Sequence, residues 1–119
     1  MISLPMHVIA FRKGATEAKE TITSDPAVVD QPYRARSWRH FANAEKGAIA
    51  GIWEAEPHLE RVTCEYDELC HILEGNVRLT DTAGVAQVFG PGESFVVAAG
   101  FKGIWENLTP VRKVFFILA

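Results

Sequence analysis

The chain has 119 residues, of which 48% are hydrophobic and 23% charged, and its formal net charge is −3. This length fits one small domain with its own core, and the composition excludes a disordered chain and a coiled coil. The negative charge argues against a protein that coats duplex nucleic acid, and no apolar run approaches the roughly 20 residues of a membrane-spanning helix.

The first part of the chain differs in character from the rest. The segment 21–32 contains two prolines and little to bury, so we expect an irregular loop laid against the domain or against a partner subunit. Residues 15–21 are the only stretch with helical character, and it is weak. We therefore divide the chain into an N-terminal arm, 1–35, and a single β-barrel domain, 36–119.

The cysteines and the N-terminal sequence bear on the cellular compartment. The apolar start of the chain is followed, not preceded, by its positive charges, which is the wrong order for a secretion signal. Cys64 and Cys70 are the two cysteines, and they form no C-x-x-C pair. We expect a cytoplasmic protein in which both thiols are reduced.

Beyond the arm, turn-forming residues separate short runs rich in β-branched and aromatic residues, a pattern typical of a β-sandwich or barrel. Gly75 and Asn76 suit a tight hairpin turn, and Asp81 with Gly84 suits a type I turn. The run 114–118 is apolar throughout, as in a strand buried on both faces. The predicted strands are 48–55, 59–65, 68–74, 76–82, 85–89, 94–97, 102–108 and 112–118.

Two segments resemble the paired motifs of the cupin superfamily. The first family pattern is G-x5-H-x-H-x3–4-E-x6-G, and the residues from Glu68 to Gly75 reproduce its E-x6-G half. The second is G-x5-P-x-G-x2-H-x3-N, whose spacing is followed at Gly92, Gly100 and Asn107. The resemblance implies an all-β fold, a cupin-type double-stranded β-helix (jelly-roll) barrel with an irregular N-terminal arm.

Four phrases carry a narrower resemblance. They are GIWE at 51–54, DELCHILEG at 67–75, GFKGIWE at 100–106 and RKVF at 112–115. These phrases are similar to those of small single-domain cupins related to the cupin domain of (S)-ureidoglycine aminohydrolase and to ethanolamine-utilisation cupins. Because this superfamily hosts many activities, the resemblance implies a fold more than a reaction.

The departures from the motifs concern metal ligands. Val62 and Cys64 stand where metal-binding cupins have the two histidines of the first motif, and Gly103 stands at the histidine of the second. Ala98 replaces the motif proline. Of the four family ligands only the carboxylate, Glu68, remains, so we expect no cofactor and no family metal site.

The resemblance implies a register in which Glu68 faces the barrel interior; strand alternation then places Cys70 on the same face and His71 on the opposite one. A zinc site of Cys64, Glu68 and Cys70 is one alternative, since two thiolates and a carboxylate can bind zinc. A register slip would turn His71 inward, so Cys64, Glu68 and His71 are reserve metal ligands. The other reading makes both cysteines small buried hydrophobes. His58 is expected in a solvated loop.

Glu68 is the candidate catalytic residue. An apolar barrel favours the neutral form of a carboxyl group, which suits a general acid or base. The equally weighted alternative is a carboxylate that is paired with a basic residue or hydrogen-bonded to the backbone. A third reading makes Glu68 a relic of a lost metal site. Trp53 and Trp105 could wall a planar ligand or fill the barrel. The predicted ligand-binding residues are Trp53, Cys64, Cys70, Trp105 and Asn107.

These residues support a small cupin that binds a small polar metabolite, with acid–base chemistry through Glu68; the resemblance directs attention to nitrogenous, ureide-like molecules. The rival hypothesis is a non-catalytic binding or regulatory module with a decayed site, so whether the chain is an enzyme stays open. A third hypothesis, a redox sensor, would need activated thiols.

We expect a small-molecule ligand, no nucleic acid, no membrane, and a homodimer formed through sheet edges by the C-terminal strand and the arm. A basic cluster of Arg34, Arg36 and Arg39 could attract an anionic ligand or a single strand of nucleic acid, but the negative overall charge favours a solvated edge.

Overall fold

The structure, a computed structural model, describes residues 7–119 of the chain. Within this range the chain forms strands and no helix, so the helical expectation for 15–21 is wrong. Accordingly, none of the described residues belong to a helix long and apolar enough to cross a membrane. The start of the chain, on which the argument about a secretion signal partly depends, lies outside the described residues at 1–6. The strands are β1 (Lys19–Thr23), β2 (Tyr33–Asn43), β3 (Ala48–Ala55), β4 (His58–Thr63), β5 (Asp67–Glu74), β6 (Val77–Asp81), β7 (Ala86–Phe89), β8 (Ser94–Val97), β9 (Lys102–Asn107) and β10 (Val111–Leu118).

The strands form two antiparallel sheets that pack face to face. The larger has the order β1-β2-β3-β10-β5-β8 and the smaller β4-β9-β6-β7. The main core joins Cys70 and Ile72 of the larger sheet to Val77, Leu79 and Trp105 of the smaller one. This arrangement confirms the expected all-β jelly-roll fold.

Alternating hydrophobic residues and turn residues predict most of the strands well. Each of the eight predicted strands is present, and its ends lie within two residues of the predicted ones. The Asp81 turn is confirmed, because Gly84 donates a backbone hydrogen bond to the Asp81 carbonyl and has φ +84°. Gly75 also turns with positive φ, but β5 and β6 lie in different sheets, so this turn is a corner and not a hairpin.

The sequence did not reveal two strands, β1 within the arm and β2, which begins at the end of the arm and continues into 36–119. β1 pairs antiparallel to β2, and β2 pairs with β3, so both belong to the larger sheet. The buried side of β2 begins with Tyr33 and Ala35, while its other side carries Arg34 and Arg36. Because arginines alternate with the buried residues of β2, its sequence is similar to that of an exposed segment, and the strand was not predicted. The loop before it also contributes to the core through Val29. The boundary between 1–35 and 36–119 stays a prediction.

β10 is central in the larger sheet, between β3 and β5. It is therefore not an edge, and the expectation that its backbone pairs with a second copy is wrong; the edges of this sheet are β1 and β8. Burial on both faces is also wrong for 114–118, since Phe116 is 39% and Leu118 49% exposed. An antiparallel sheet packed on one side buries only one face of each strand. That inner face of β10 includes Lys113.

Candidate functional site

A cavity of about 510 Å³ lies between the two sheets and opens to solvent. Its volume is within the range of small-molecule sites in proteins. Side chains from seven strands converge on it, because alternate residues of a strand face the barrel interior. The polar and aromatic side chains that matter most are Tyr33 (β2), Trp53 (β3), Glu60 (β4), Glu68 (β5), Trp105 (β9) and Lys113 (β10).

An ion pair occupies the wall of this cavity. The Lys113 Nζ donates a hydrogen bond to Glu68 Oε2 at 2.7 Å, and the two side chains are only 8% and 16% exposed. The same oxygen accepts a hydrogen bond from the Cys70 thiol at 3.3 Å, and Nζ lies 3.6 Å from that sulfur. The structure thus shows the pairing with a basic residue that the sequence left open for Glu68.

Two indole rings complete the surroundings of the lysine. Its Nζ lies 4.8 Å from the ring centroid of Trp53 and 4.3 Å from that of Trp105. The two rings meet edge to face, with centroids 6.3 Å apart. An ammonium over the face of an indole is attracted by the ring quadrupole. The ammonium is therefore held by a carboxylate and two aromatic faces together.

The protonation of this group follows from burial and charge. Burial, and then the nearby charges of Lys113 and Glu68, act on Cys70 with a net effect that raises its pKa to about 12. Burial alone would lower the pKa of Lys113, but the charges of Cys70 and Glu68 and its hydrogen bonds to both raise it above the ordinary value. Because Cys70 is a neutral thiol near pH 7, the carboxylate of Glu68 is the charge that keeps Lys113 protonated there.

Asn107 supports the aromatic wall from behind. Its Oδ1 accepts a hydrogen bond from the Trp105 indole N–H at 2.8 Å, and its Nδ2 lies 3.2 Å from the Glu56 carbonyl oxygen. Asn107 is only 2% exposed. This buried amide fixes the orientation of the indole and does not itself line the cavity.

The predicted site residues therefore separate into two groups. Trp53, Cys64 and Trp105 line the cavity together with Glu68. Cys70 and Asn107 lie behind that lining, where they hydrogen-bond Glu68 and Trp105. Lys113 was missed, although its position in alternation with Val111 and Phe115 on β10 is a signal that could have found it.

The predicted position is correct for His71 and wrong for His58. His71 lies on the side of β5 opposite Cys70, and its Nδ1 is 2.7 Å from the Ser94 hydroxyl. The expectation of a solvated His58 is wrong. Its side chain is only 3% exposed, because it begins β4 and stacks against Tyr33, a residue of the strand that the sequence did not reveal.

The basic cluster on β2 is divided between the two faces of that strand. Arg39 lines the cavity, whereas Arg34 and Arg36 lie on the other face, where Arg36 is 3.7 Å from Glu20. Only Arg39 is therefore placed to meet a molecule in the barrel.

The side chains present do not fit the metal of the wider cupin superfamily. Within residues 7–119 no three His, Cys, Asp or Glu side chains are arranged so that they could hold a metal ion. Cys64, Glu68 and His71 are not brought together, since His71 faces outward. Burial, followed by the charge of Glu68, raises the pKa of Cys64. Both cysteines are free thiols with raised pKa values, which does not suit an activated redox thiol. We derive no metal-dependent step.

Gly103, at the position of the second-motif histidine, faces a crowded backbone. A Cβ atom there would lie 2.1 Å from the carbonyl oxygen of Thr80 on the neighbouring strand and 3.1 Å from the Asp81 Cα. Any side chain at this position requires the strands to move apart. The close approach of β6 and β9 thus excludes a histidine at 103 without a change in the backbone.

A barrel of two antiparallel sheets of this kind is typical of cupins, and the comparison with known protein families agrees with this class. The model of the EutQ-like cupin domain matches residues 43–115, more than half of the chain. The chain therefore belongs to the EutQ-like cupin family. No curated protein matches the chain.

Solved structures support the fold. A Pseudomonas syringae protein of unknown function from the DUF861 family has a TM-score of 0.74 at 24% identity, over 83% of this chain and 44% of that protein. The EutQ protein of Clostridium difficile has a TM-score of 0.64 at 17% identity, over 72% of this chain and 63% of that one. A putative ethanolamine utilization protein of Salmonella typhimurium has a TM-score of 0.63 at 15% identity, over 88% and 98%. The chain thus spans less than half of the first protein and under two thirds of the second.

We predict that removing the cation of the Glu68–Lys113 pair strongly lowers the stability of the fold. Lys113→Met leaves Glu68 without a cation in the barrel, so we expect the free energy of unfolding to fall by about 3–5 kcal/mol at pH 7. Urea unfolding followed by tryptophan fluorescence measures it. Lys102→Met, at an exposed position of β9, is the control and should change it by no more than about 0.5 kcal/mol. Equal losses in the two variants would contradict a stabilising role for the pair.

The raised pKa values predict loss of stability at alkaline pH. The pKa values of Cys70 and Tyr33 are raised from 9.0 and 10.0 to about 12, chiefly by burial. Because their neutral forms are favoured in the folded chain, this stabilisation is complete below pH 9 and is lost as the pH rises from 9 to 12. Lys113, whose pKa is raised from 10.5, acts in the same direction. Unfolding free energy measured from pH 7 upward should decline above pH 9, and in Cys70→Ala the decline should begin about one pH unit later. A flat profile would count against these shifts.

The crowded backbone at Gly103 predicts that a histidine there rebuilds no metal site. We expect Gly103→His to lower the free energy of unfolding by about 1–3 kcal/mol or more and to bind no stoichiometric zinc. Gly90→Ala is a milder control, because its new methyl group would meet a movable side-chain atom of Asn76. Urea unfolding and metal analysis of untagged protein decide; a stable, zinc-loaded Gly103→His variant would overturn the argument.

Proposed function

We propose that the barrel binds a small polar metabolite at the Glu68–Lys113 pair and that Glu68 acts on it as an acid–base group. The observation that carries this proposal is the ion pair itself, largely removed from water yet facing a cavity of about 510 Å³. Burying two charges has a high desolvation cost, and the core alone does not need them. A charged pair that is mostly removed from water and faces a cavity favours a functional role.

The unused hydrogen-bonding capacity of the pair indicates the class of ligand. Glu68 Oε2 accepts from Lys113 and Cys70, and within the described part of the chain nothing donates to Oε1. Lys113 has three N–H groups, of which one points to Glu68 and one to Cys70. A free acceptor therefore lies beside a free donor. An amide or ureide offers the complement, an N–H next to a carbonyl oxygen.

The aromatic walls and the resemblance support the same class. Trp53 and Trp105 offer flat apolar surfaces to a planar group such as a ureide. The resemblance to the cupin domain of ureidoglycine aminohydrolase also directs the proposal to nitrogenous metabolites. The chemistry differs from a metal-dependent one, since here the polarising charge is the Lys113 ammonium.

The second candidate function is a non-catalytic binding or regulatory module whose metal site has decayed. The observation that favours it is that two metal-ligand positions of the cupin motifs are occupied by Val62 and Gly103, whose side chains cannot bind a metal. In this reading the Glu68–Lys113 pair only satisfies a carboxylate retained from a metal site. A homodimer and a cytoplasmic location remain proposals under either function, with β1 and β8 as the available sheet edges.

A ligand screen separates the two functions. We expect one class among a panel of ureides, amides and amines to raise the melting temperature of the wild-type chain; at 100 times Kd the stabilisation is about 2.7 kcal/mol. The double variant Glu68→Gln/Lys113→Met removes both charges at similar side-chain size and should lose this response. The control Arg78→Met/Glu106→Gln removes an outer pair with the same 2.7 Å N–O distance and should retain it.

Each other outcome has a defined meaning. If no compound stabilises the wild type selectively, the decayed module is favoured and the metabolite proposal fails. If the double variant responds as strongly as the wild type, Glu68 and Lys113 are not the binding groups. For any compound that is turned over, Glu68→Gln should abolish turnover and Glu106→Gln should not.

A further inference from the structure

A second polar cluster lies in the wall of the same cavity, on the β4 side, and is not used by the Glu68–Lys113 pair. It consists of Tyr33, His58 and Glu60. The Tyr33 hydroxyl donates a hydrogen bond to Glu60 Oε2 at 2.8 Å. Tyr33 and Glu60 line the cavity, while His58 lies behind them with its side chain 3% exposed.

The hydrogen bonds of His58 define where its protons are. Its Nδ1 is 2.8 Å from the backbone carbonyl oxygen of Glu56. A carbonyl oxygen only accepts, so Nδ1 carries a hydrogen. In a neutral ring the other nitrogen, Nε2, then has a bare lone pair. That atom is buried without a hydrogen-bond partner and lies 3.5 Å from Glu60 Oε1.

Two acceptors facing each other in a buried place repel unless a proton lies between them. A lone pair on Nε2 opposite a carboxylate oxygen is such an arrangement, and a buried nitrogen without a hydrogen-bond partner also loses the hydrogen bond that water would give it. A proton on Nε2 removes both penalties, because it converts the contact into an imidazolium–carboxylate pair with Glu60.

The stacking on Tyr33 is independent support for a charged ring. The His58 and Tyr33 rings are nearly parallel, at 5°, and their centroids are 3.4 Å apart. Neutral aromatic rings disfavour this face-to-face arrangement and prefer an offset or an edge-on contact. A cationic imidazolium over the face of the phenol ring is attracted instead.

We propose that His58 carries a second ring proton and pairs with Glu60, so that Glu60 is a second acid–base group of the cavity and His58 is the positioning residue that supplies it. The charges around His58 are Glu60 on β4 and, more remotely, Lys113 on β10, which also lowers the pKa of Tyr33 as a minor effect. Tyr33 from β2 and Trp53 from β3 contribute uncharged rings, and Glu56 contributes its backbone carbonyl. Lys113 and burial oppose the charge on His58; Glu60 favours it.

The proton transfer balances within this cluster. The Nε2–H bond breaks, its electron pair stays on Nε2, and the proton joins Glu60 Oε1. The carboxylic acid then protonates a lone pair of a molecule in the cavity, such as a carbonyl oxygen, and returns to the carboxylate. His58 remains as the neutral Nδ1–H tautomer until water reprotonates it. This use rests on the proposed metabolite site, whereas the proton itself can be measured in the free protein.

Nitrogen-15 NMR of the histidine rings tests the proposal on the full chain without any ligand. The His58 signals are identified by their loss in His58→Gln. At pH 7 we expect both ring nitrogens of His58 to have the shifts of an imidazolium. In Glu60→Gln we expect a neutral ring with hydrogen on Nδ1 only, and in the control Glu106→Gln no change. A neutral His58 in the wild type, or an imidazolium that persists in Glu60→Gln, would overturn the pairing.

A second measurement covers a Glu60→Gln variant that does not fold. In the wild type, the imidazolium signals of His58 should persist to a pH about one unit or more above those of exposed His7, because Glu60 stabilises the charged ring. Loss of the signals at the same pH as His7, or below it, overturns the proposal. A negative ligand screen beside a positive NMR result would reject only the metabolite site.

Discussion

The hydrogen bond from Lys113 to Glu68 is the interaction on which the character of this barrel depends. A carboxylate alone between two packed sheets would be unfavourable, and so would an ammonium alone. The Lys113 Nζ lies 2.7 Å from Glu68 Oε2 and over two indole rings. Each charge therefore offsets the desolvation cost of burying the other. The neighbours are held by other means: burial is the main reason that the pKa of the Cys70 thiol is raised, and the Asn107 amide holds the orientation of the Trp105 indole.

The same pair explains how a barrel with the motif spacing of cupins can lack the superfamily's ligand set. In a metal-binding relative the carboxylate of the first motif meets a metal cation. In this chain a covalently attached cation, the Lys113 ammonium, meets Glu68, while Gly103 leaves no room for an imidazole beside Thr80. An ammonium gives charge and N–H donors but no open coordination position. Its chemistry is therefore confined to hydrogen bonding and proton transfer.

Much of the fold could be predicted because period-two alternation and turn residues are local signals. They place β3 to β10 within two residues and put Glu68 and Trp105 inside the barrel. The site was harder to predict, because its contacts join residues far apart in the chain. Lys113 is 45 positions from Glu68, and its place at the edge of an apolar run concealed its inward direction. His58 is buried by Tyr33, from a strand whose alternate arginines resemble a surface segment.

Taken together, the two clusters constrain the charge of any ligand more than its shape. The Glu68–Lys113 pair is neutral in sum, and a protonated His58 makes the Glu60 cluster neutral as well. The other charged lining residues, Arg39 and Arg61, are exposed, and the Arg61 guanidinium is bound to Asp30 and to the carbonyl oxygens of Pro26 and Ala27. With His58 protonated as proposed, the two buried clusters together offer no net charge to a small ion. The metabolite proposed above, a neutral, planar and nitrogen-rich molecule, would form directional hydrogen bonds between the two aromatic walls without the desolvation cost of entering as an ion.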